Sequence, residues 1–113
     1  ECRINAEDVR KNFRPCCGRI NLLHIPGGPW VRFDTAIYQD YMIPPYYDSM
    51  IGKLIVFARD RTEAIRKMQA ALCELVIEGV CTNAELSGDI LAEPAFKSGE
   101  YCTNFLDKFL KNY

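Results

Sequence analysis

Arg32 is the side chain in this sequence best suited to act on a charge. It follows the turn signal Gly27-Gly28-Pro29, in which glycine accepts positive φ without steric cost and proline fixes φ at the next step. Val31 and Phe33 alternate with it in a short run of β-formers, so Arg32 projects from the opposite face of a strand. A guanidinium held there is a permanently charged, planar fork of donors. By pattern alone, a lone strand arginine is more often a solvated or ion-paired surface residue than a functional one. Gly27-Gly28 is too short for a phosphate loop, and a strand follows it instead of the helix N-terminus that would hold phosphate. Asp48 and Lys53 invite an acid–base reading, but no histidine or second carboxylate joins them, so an ion pair or a cap is the better reading. Tyr46 and Tyr47 read as core or rim aromatics, and His24, the only histidine, reads as structural.

Metal and disulfide chemistry are both disfavoured. The six cysteines, Cys2, Cys16, Cys17, Cys73, Cys81 and Cys102, include no pair with the two-residue spacing of a zinc knuckle, and His24 stands apart from all of them. Nothing indicates secretion, one cysteine falls on an amphipathic helix, and 113 residues suffice for a core without staples, so free thiols are expected. A formal net charge of −1 argues against a surface built for nucleic acid or anionic membrane. No window approaches the roughly 20 apolar residues of a membrane span, and nothing reads as a signal peptide.

The elements that must position Arg32 fall into two halves. Cys2 to Asn5 alternates as a strand, Ala6 to Asn12 reads as a turn or single helical turn, and Asn12 to Cys17 as a loop. Gly18 opens a second strand through Ile20, Leu22 and Leu23, which the turn at Pro26 to Pro29 joins as a hairpin to the strand carrying Arg32. Asp34 to Tyr41 is a short strand or an aromatic-packed loop. Pro44-Pro45 forces an extended approach to the longest strand, Met50 to Phe57. Asp60 with Glu63 three residues on marks a helix start. Ile65, Met68, Leu72, Leu75 and Val76 then form one apolar stripe, with Gly79 as the stop. Asn83 caps a shorter helix with Leu86, Ile90 and Leu91 inward, Pro94 ends it or begins another turn, and Thr103 caps a last helix that docks by Phe105, Leu106, Phe109, Leu110 and Tyr113. Strands first and helices second predict a single α+β domain over residues 1–113, an antiparallel sheet from the N-terminal half packed with helices from the C-terminal half.

The motifs GGPWVRFDT and PPYYDSMIGKLI, with ECRINAED before them and TEAIRKMQAAL, VIEGVCTN and FKSGEYCTNFL after, resemble the C-terminal domain of biotin carboxylase in the same order and over essentially the whole chain. That resemblance implies a part in ATP- and bicarbonate-dependent carboxylation of biotin, the first half-reaction of acetyl-CoA carboxylase in fatty acid biosynthesis and of related enzymes. It implies that Arg32 contacts the ureido carbonyl of biotin as the catalytic residue, that Gly27 and Gly28 line the biotin side of the site, and that the protein pairs as a homodimer through this domain; the strand end with Phe57, Ala58 and Arg61, an apolar patch with a charged rim, is the expected interface. Further implied are an ATP-grasp part of the same chain that binds ATP and Mg, a biotin carboxyl carrier as partner, no metal site in these residues, and a cytoplasmic location. Glu1 is not an initiator methionine and a strand begins at once, so the chain is expected to be a piece of a longer polypeptide, inactive alone. Two departures from the family pattern stand out: Trp30 occupies a position where glycine is usual, and Cys16-Cys17 replaces a frequent Ser-Pro. Trp30 is expected to point outward as a packing residue. The alternative is a non-catalytic interaction or dimerisation module that uses the exposed sheet and the last helix.

Overall fold

Every strand pairing in the molecule is antiparallel, so the strand-first order of the sequence is realised as an α+β architecture. The computed structural model describes all 113 residues. In chain order the strands are β1 (Cys2–Asn5), β2 (Glu7–Asp8), β3 (Arg14–Pro15), β4 (Gly18–Arg19), β5 (Leu22–His24), β6 (Val31–Thr35), β7 (Met42–Ile43), β8 (Met50–Val56) and β9 (Val76–Glu78). The helices are α1 (Arg61–Glu74), α2 (Ala84–Ala92), α3 (Pro94–Ser98) and α4 (Phe105–Leu110), with a single 3-10 turn at Val9–Lys11. None of them is long and apolar enough to cross a membrane.

The strand β8 is central because it is buried on its helix side and paired on both edges, with β1 on one and β6 on the other. Its register places Leu54 opposite both Cys2 and Phe33, and Leu54, fully buried, joins Ile4 and the α1 residues Ile65, Met68, Ala71 and Leu72 in the core. Gly52 is glycine for a packing reason. A β-carbon there would collide with the ring of Phe33 on the neighbouring strand.

Helix α1 follows its local signals. The carboxylate of Asp60 accepts the Glu63 N–H at 2.8 Å, and the apolar stripe is buried as its spacing predicts. Its end differs. The helix stops at Glu74, Leu75 turns extended, and Val76 leaves the helical stripe to begin β9; the β-branched pair Val76-Ile77 suits a strand. Gly79 therefore closes a strand and not a helix.

The first half departs further from expectation. Gly18 to Leu23 is not one strand, because the chain changes partner midway: β4 pairs with β7, and β5 pairs with β9. Ile20, fully buried, marks the crossing, with its N–H bonded to the Tyr41 carbonyl while the next N–H, of Asn21, bonds to that of Glu78. The expected hairpin between β5 and β6 does not form, since β6 pairs with β8.

Asn83 stands at the start of α2, but its side chain makes no cap there. Instead its Oδ1 accepts the Asn5 N–H at 2.8 Å and its Nδ2 donates to the Arg3 carbonyl at 3.0 Å, tying the helix start to β1. Replacing Asn83 by alanine removes both bonds and leaves a part-buried N–H unpaired, which costs about 1–3 kcal/mol; urea unfolding of the variant measures this as a lowered midpoint at unchanged slope. Pro94 begins α3, and Asn104, not Thr103, precedes α4. That last helix buries no side chain fully. It docks through an aromatic ladder from Phe96 through Tyr101, Phe105 and Phe109 to Tyr113, ending where the Tyr113 hydroxyl donates to Asp89 on α2 at 2.8 Å.

Candidate functional site

The turn before β6 is built for close approach. The Val31 N–H donates to the Gly28 carbonyl at 3.3 Å, so Pro29 and Trp30 are the two central residues of the turn. The second central position carries positive φ, as it does in turns that favour glycine there. Here it is Trp30 at φ 62°. Packing offsets the strain of that backbone: the indole ring lies 5.4 Å from the ring of Phe57, and the Trp30 carbonyl accepts the Phe57 N–H at 3.0 Å. Trp30 remains 67% exposed, so it points outward against a neighbour, as expected. Gly28, at φ 111°, needs to be glycine; Gly27 does not on backbone grounds. Neither has any heavy atom within 4 Å of where a β-carbon would stand, so the turn is open to a molecule approaching its backbone.

Arg32 leaves this turn on β6, on the face opposite the half-buried Val31 and Phe33. It is exposed, and its Nε pairs with Asp34 Oδ1 at 2.9 Å. Asp34 lies directly across from Lys53, which in turn lies across from Arg3. Directly opposed residues share a face of the sheet, so Arg3, Lys53 and Arg32 form a cationic row interrupted by one carboxylate, Asp34, with Glu1 3.6 Å from Arg3 at the edge. The sequence reasoning missed this row. The alternation in VRFDT already put Arg32 and Asp34 on one side, but the register that adds Lys53 and Arg3 is a matter of strand pairing. Chemically the row sets three cations against the carboxylates of Asp34 and Glu1, with Asp34 beside the Arg32 Nε.

The other candidates separate from this group. Asp48 accepts the Met50 N–H at 2.8 Å and so caps the entry to β8, the cap of the two readings; it forms no ion pair with Lys53, although both line a cavity of about 340 Å³ together with Asp34 and Tyr47. Tyr46 and Tyr47 are 85% and 82% exposed, rim and not core. His24 is exposed on β5 opposite Val76. All six cysteines are free thiols. Phe57 is exposed and Ala58 half-buried at the end of β8, but Arg61 is already engaged within its own chain: its Nη2 donates to the Phe96 carbonyl at 2.5 Å and its guanidinium stands 4.9 Å over the Phe96 ring.

Comparison with known proteins gives a consistent result. Residues 1–108 match the sequence profile described as the biotin carboxylase C-terminal domain. Biotin carboxylase of Nostoc sp. is 50% identical over 111 residues, covering 98% of this chain and 25% of the relative. The biotin carboxylase domain dimer of Hydrogenobacter thermophilus 2-oxoglutarate carboxylase, solved with MgADP, ADP and bicarbonate, superimposes with a TM-score of 0.93 at 39% identity, over 99% of this chain and 25% of that one. The complete multifunctional pyruvate carboxylase of Rhizobium etli superimposes with a TM-score of 0.90 at 36% identity, over 94% of this chain and 10% of that one. The chain thus spans about a quarter of the length of the curated relatives it matches.

Proposed function

The chain belongs to the biotin carboxylase C-terminal domain family, and from that membership we propose that it forms the biotin-side wall of a composite site for ATP- and bicarbonate-dependent carboxylation of biotin. The observation that carries this reading is the placement of Arg32: one residue beyond an open glycine turn, on a strand paired to the buried centre of the sheet, and oriented by Asp34. The ureido nitrogen of biotin is a poor nucleophile until its proton leaves, and the charge then appears on the ureido oxygen. Arg32 acts by presenting its donors to that oxygen, which stabilises the charged form more than the neutral ground state. Gly27 and Gly28 contribute by leaving room for the bicyclic ring beside their backbone.

In this reading ATP and Mg are bound by an ATP-grasp part of the parent protein, biotin arrives on a carrier protein or domain, and the parent works in the cytoplasm. The acceptor of the parent, acetyl-CoA, propionyl-CoA or pyruvate, is selected by a separate domain. The test compares the parent protein with the 113-residue chain under ATP, bicarbonate and free biotin. Biotin-dependent release of phosphate is expected from the parent and none from the chain; release by the chain itself, above a buffer control, overturns the composite site.

Two copies of the parent are proposed to meet around Phe57, Ala58 and Arg61, where an exposed phenylalanine stands beside a charged residue. Phe57→Asp is the sharper variant here, because Arg61 also holds Phe96 inside the chain. Sedimentation across a dilution series is expected to show Phe57→Asp dissociating at higher concentration than the parent, and unchanged sedimentation removes this patch from the interface.

A further inference from the structure

We propose that Cys16 and Cys81 form a reversible disulfide site, closed by a peroxide and opened by a dithiol, which staples the loop ahead of β4 to the segment ahead of α2. The two residues are 65 positions apart, yet the Cys16 sulfur accepts the Cys81 N–H at 3.1 Å. The Cys16 side chain beside it, ahead of burial, pushes the Cys81 thiol up. The flanking backbone holds the pair together from both sides. The Cys16 N–H is bonded to the Ala6 carbonyl at 2.8 Å, and a β-carbon on Gly18 would stand 3.5 Å from Val80 Cγ1 and 3.7 Å from the Gly79 carbonyl oxygen. Cys81 is exposed and Cys16 half-buried, so a small oxidant reaches the site. The neighbouring thiol of Cys17 is turned elsewhere, toward the Pro44 carbonyl at 3.7 Å.

The chemistry balances with hydrogen peroxide as oxidant. The thiolate of one residue attacks a peroxide oxygen; an S–O bond forms, the O–O bond breaks, and the departing hydroxide leaves as water after taking up a proton. The second sulfur then displaces the hydroxyl of the sulfenic acid, so that an S–S bond forms, the S–O bond breaks, and a second water leaves. Two thiols lose two electrons and two protons, and one peroxide becomes two waters. A dithiol reverses the link by exchange through a mixed disulfide.

What distinguishes a built site from random oxidation among six thiols is selectivity. Two cysteines held so that the sulfur of one touches the backbone of the other have a high effective concentration for each other, so the Cys16–Cys81 link is expected to exceed any other linked pair by roughly tenfold. The experiment treats the parent protein, first reduced and desalted, with one equivalent of hydrogen peroxide. It then blocks the remaining thiols and maps linked peptides by mass spectrometry after digestion with trypsin and a glutamate-specific protease. Expected are a Cys16–Cys81 peptide that disappears with dithiothreitol, its loss in Cys16→Ser and in Cys81→Ser, and its persistence in Cys17→Ser. Absence of the linked peptide from the oxidised wild-type protein, a Cys17–Cys81 link of equal abundance, or conversion of Cys16 to sulfinic acid without any link overturns the proposal. The wild-type arm decides the matter without relying on the folding of any variant.

Discussion

In the parent enzyme, replacing Arg32 by alanine lowers kcat for biotin carboxylation by roughly a hundredfold or more, on the scale of losing one oxyanion donor, with little change in the affinity for ATP. Bound biotin is neutral at its ureido oxygen, and the negative charge develops only as the nitrogen is deprotonated, so a fixed cation interacts more with the transition state than with the ground state. On the proposed reading, the Asp34 carboxylate, 2.9 Å from the Arg32 Nε, helps to place the side chain for this role. Arg32→Lys recovers only part of the rate, because an ammonium on a flexible stem does not reproduce the planar fork and loses the Nε contact that orients it. A purely structural role makes a different prediction: a lowered melting temperature with kcat retained in the folded fraction. That role has little to work with, since the pair is exposed on both sides and such pairs contribute about 1 kcal/mol or less. Measuring kcat and thermal unfolding on the same preparation separates the two, and normal turnover in folded Arg32→Ala removes Arg32 from the chemistry.

Gly79→Ala is expected to destabilise the fold by roughly 3 kcal/mol or more, from two costs that add. Gly79 sits at φ 102°, a backbone conformation costing of order 1–3 kcal/mol for a residue with a side chain. The new β-carbon would also fall within hard contact of the Arg19 carbonyl oxygen and 3.0 Å from the Asn21 N–H. Both are backbone atoms, so no side chain can swing aside, and the relief must come from moving the β4–β5 segment that Ile20 anchors in the core. Chemical denaturation checks the size of the effect. Gly99→Ala is the control for positive φ alone: Gly99 sits at φ 79°, but its β-carbon meets nothing within 4 Å. Equal losses in the two variants mean that the close approach to Arg19 contributes nothing.

What was legible in the sequence divides by the range of the interaction. The start of α1 was readable because the Asp60 cap and the Ile65–Met68–Leu72 stripe are local patterns, and β8 because β-formers run together there. Strand partners were not, since β5 finds β9 across much of the chain, and nothing in Leu22-Leu23-His24 names Val76-Ile77-Glu78 as its mate. The apolar spacing of Leu75 and Val76 fits a helical stripe as well as a strand start, and only the pairing decides. Asn83 carried a correct positional signal with a wrong role, because a capping residue can direct its hydrogen bonds to a distant strand. At the candidate site, the turn and the strand bearing Arg32 were readable from residue types alone. The functional weight on Arg32 came from family resemblance. The engagement of Arg61 was invisible for the same reason as the strand pairings: its acceptor is a backbone carbonyl 35 residues away.

Trp30, the only tryptophan in these 113 residues, has a consequence for observation. It sits two residues from Arg32, largely in solvent, with its ring against Phe57. Within this chain all indole fluorescence therefore originates at the lip of the glycine turn. A chromophore already half in water shifts its emission to shorter wavelength when something covers it, so the turn carries a built-in optical reporter. Its position beside Phe57 makes it sensitive from two directions, to a molecule arriving over Gly27 and Gly28 and to a second copy arriving over the end of β8. A shift that grows with protein concentration and needs no added ligand reports association of the protein, and one that follows added ligand at fixed protein concentration reports occupancy of the turn.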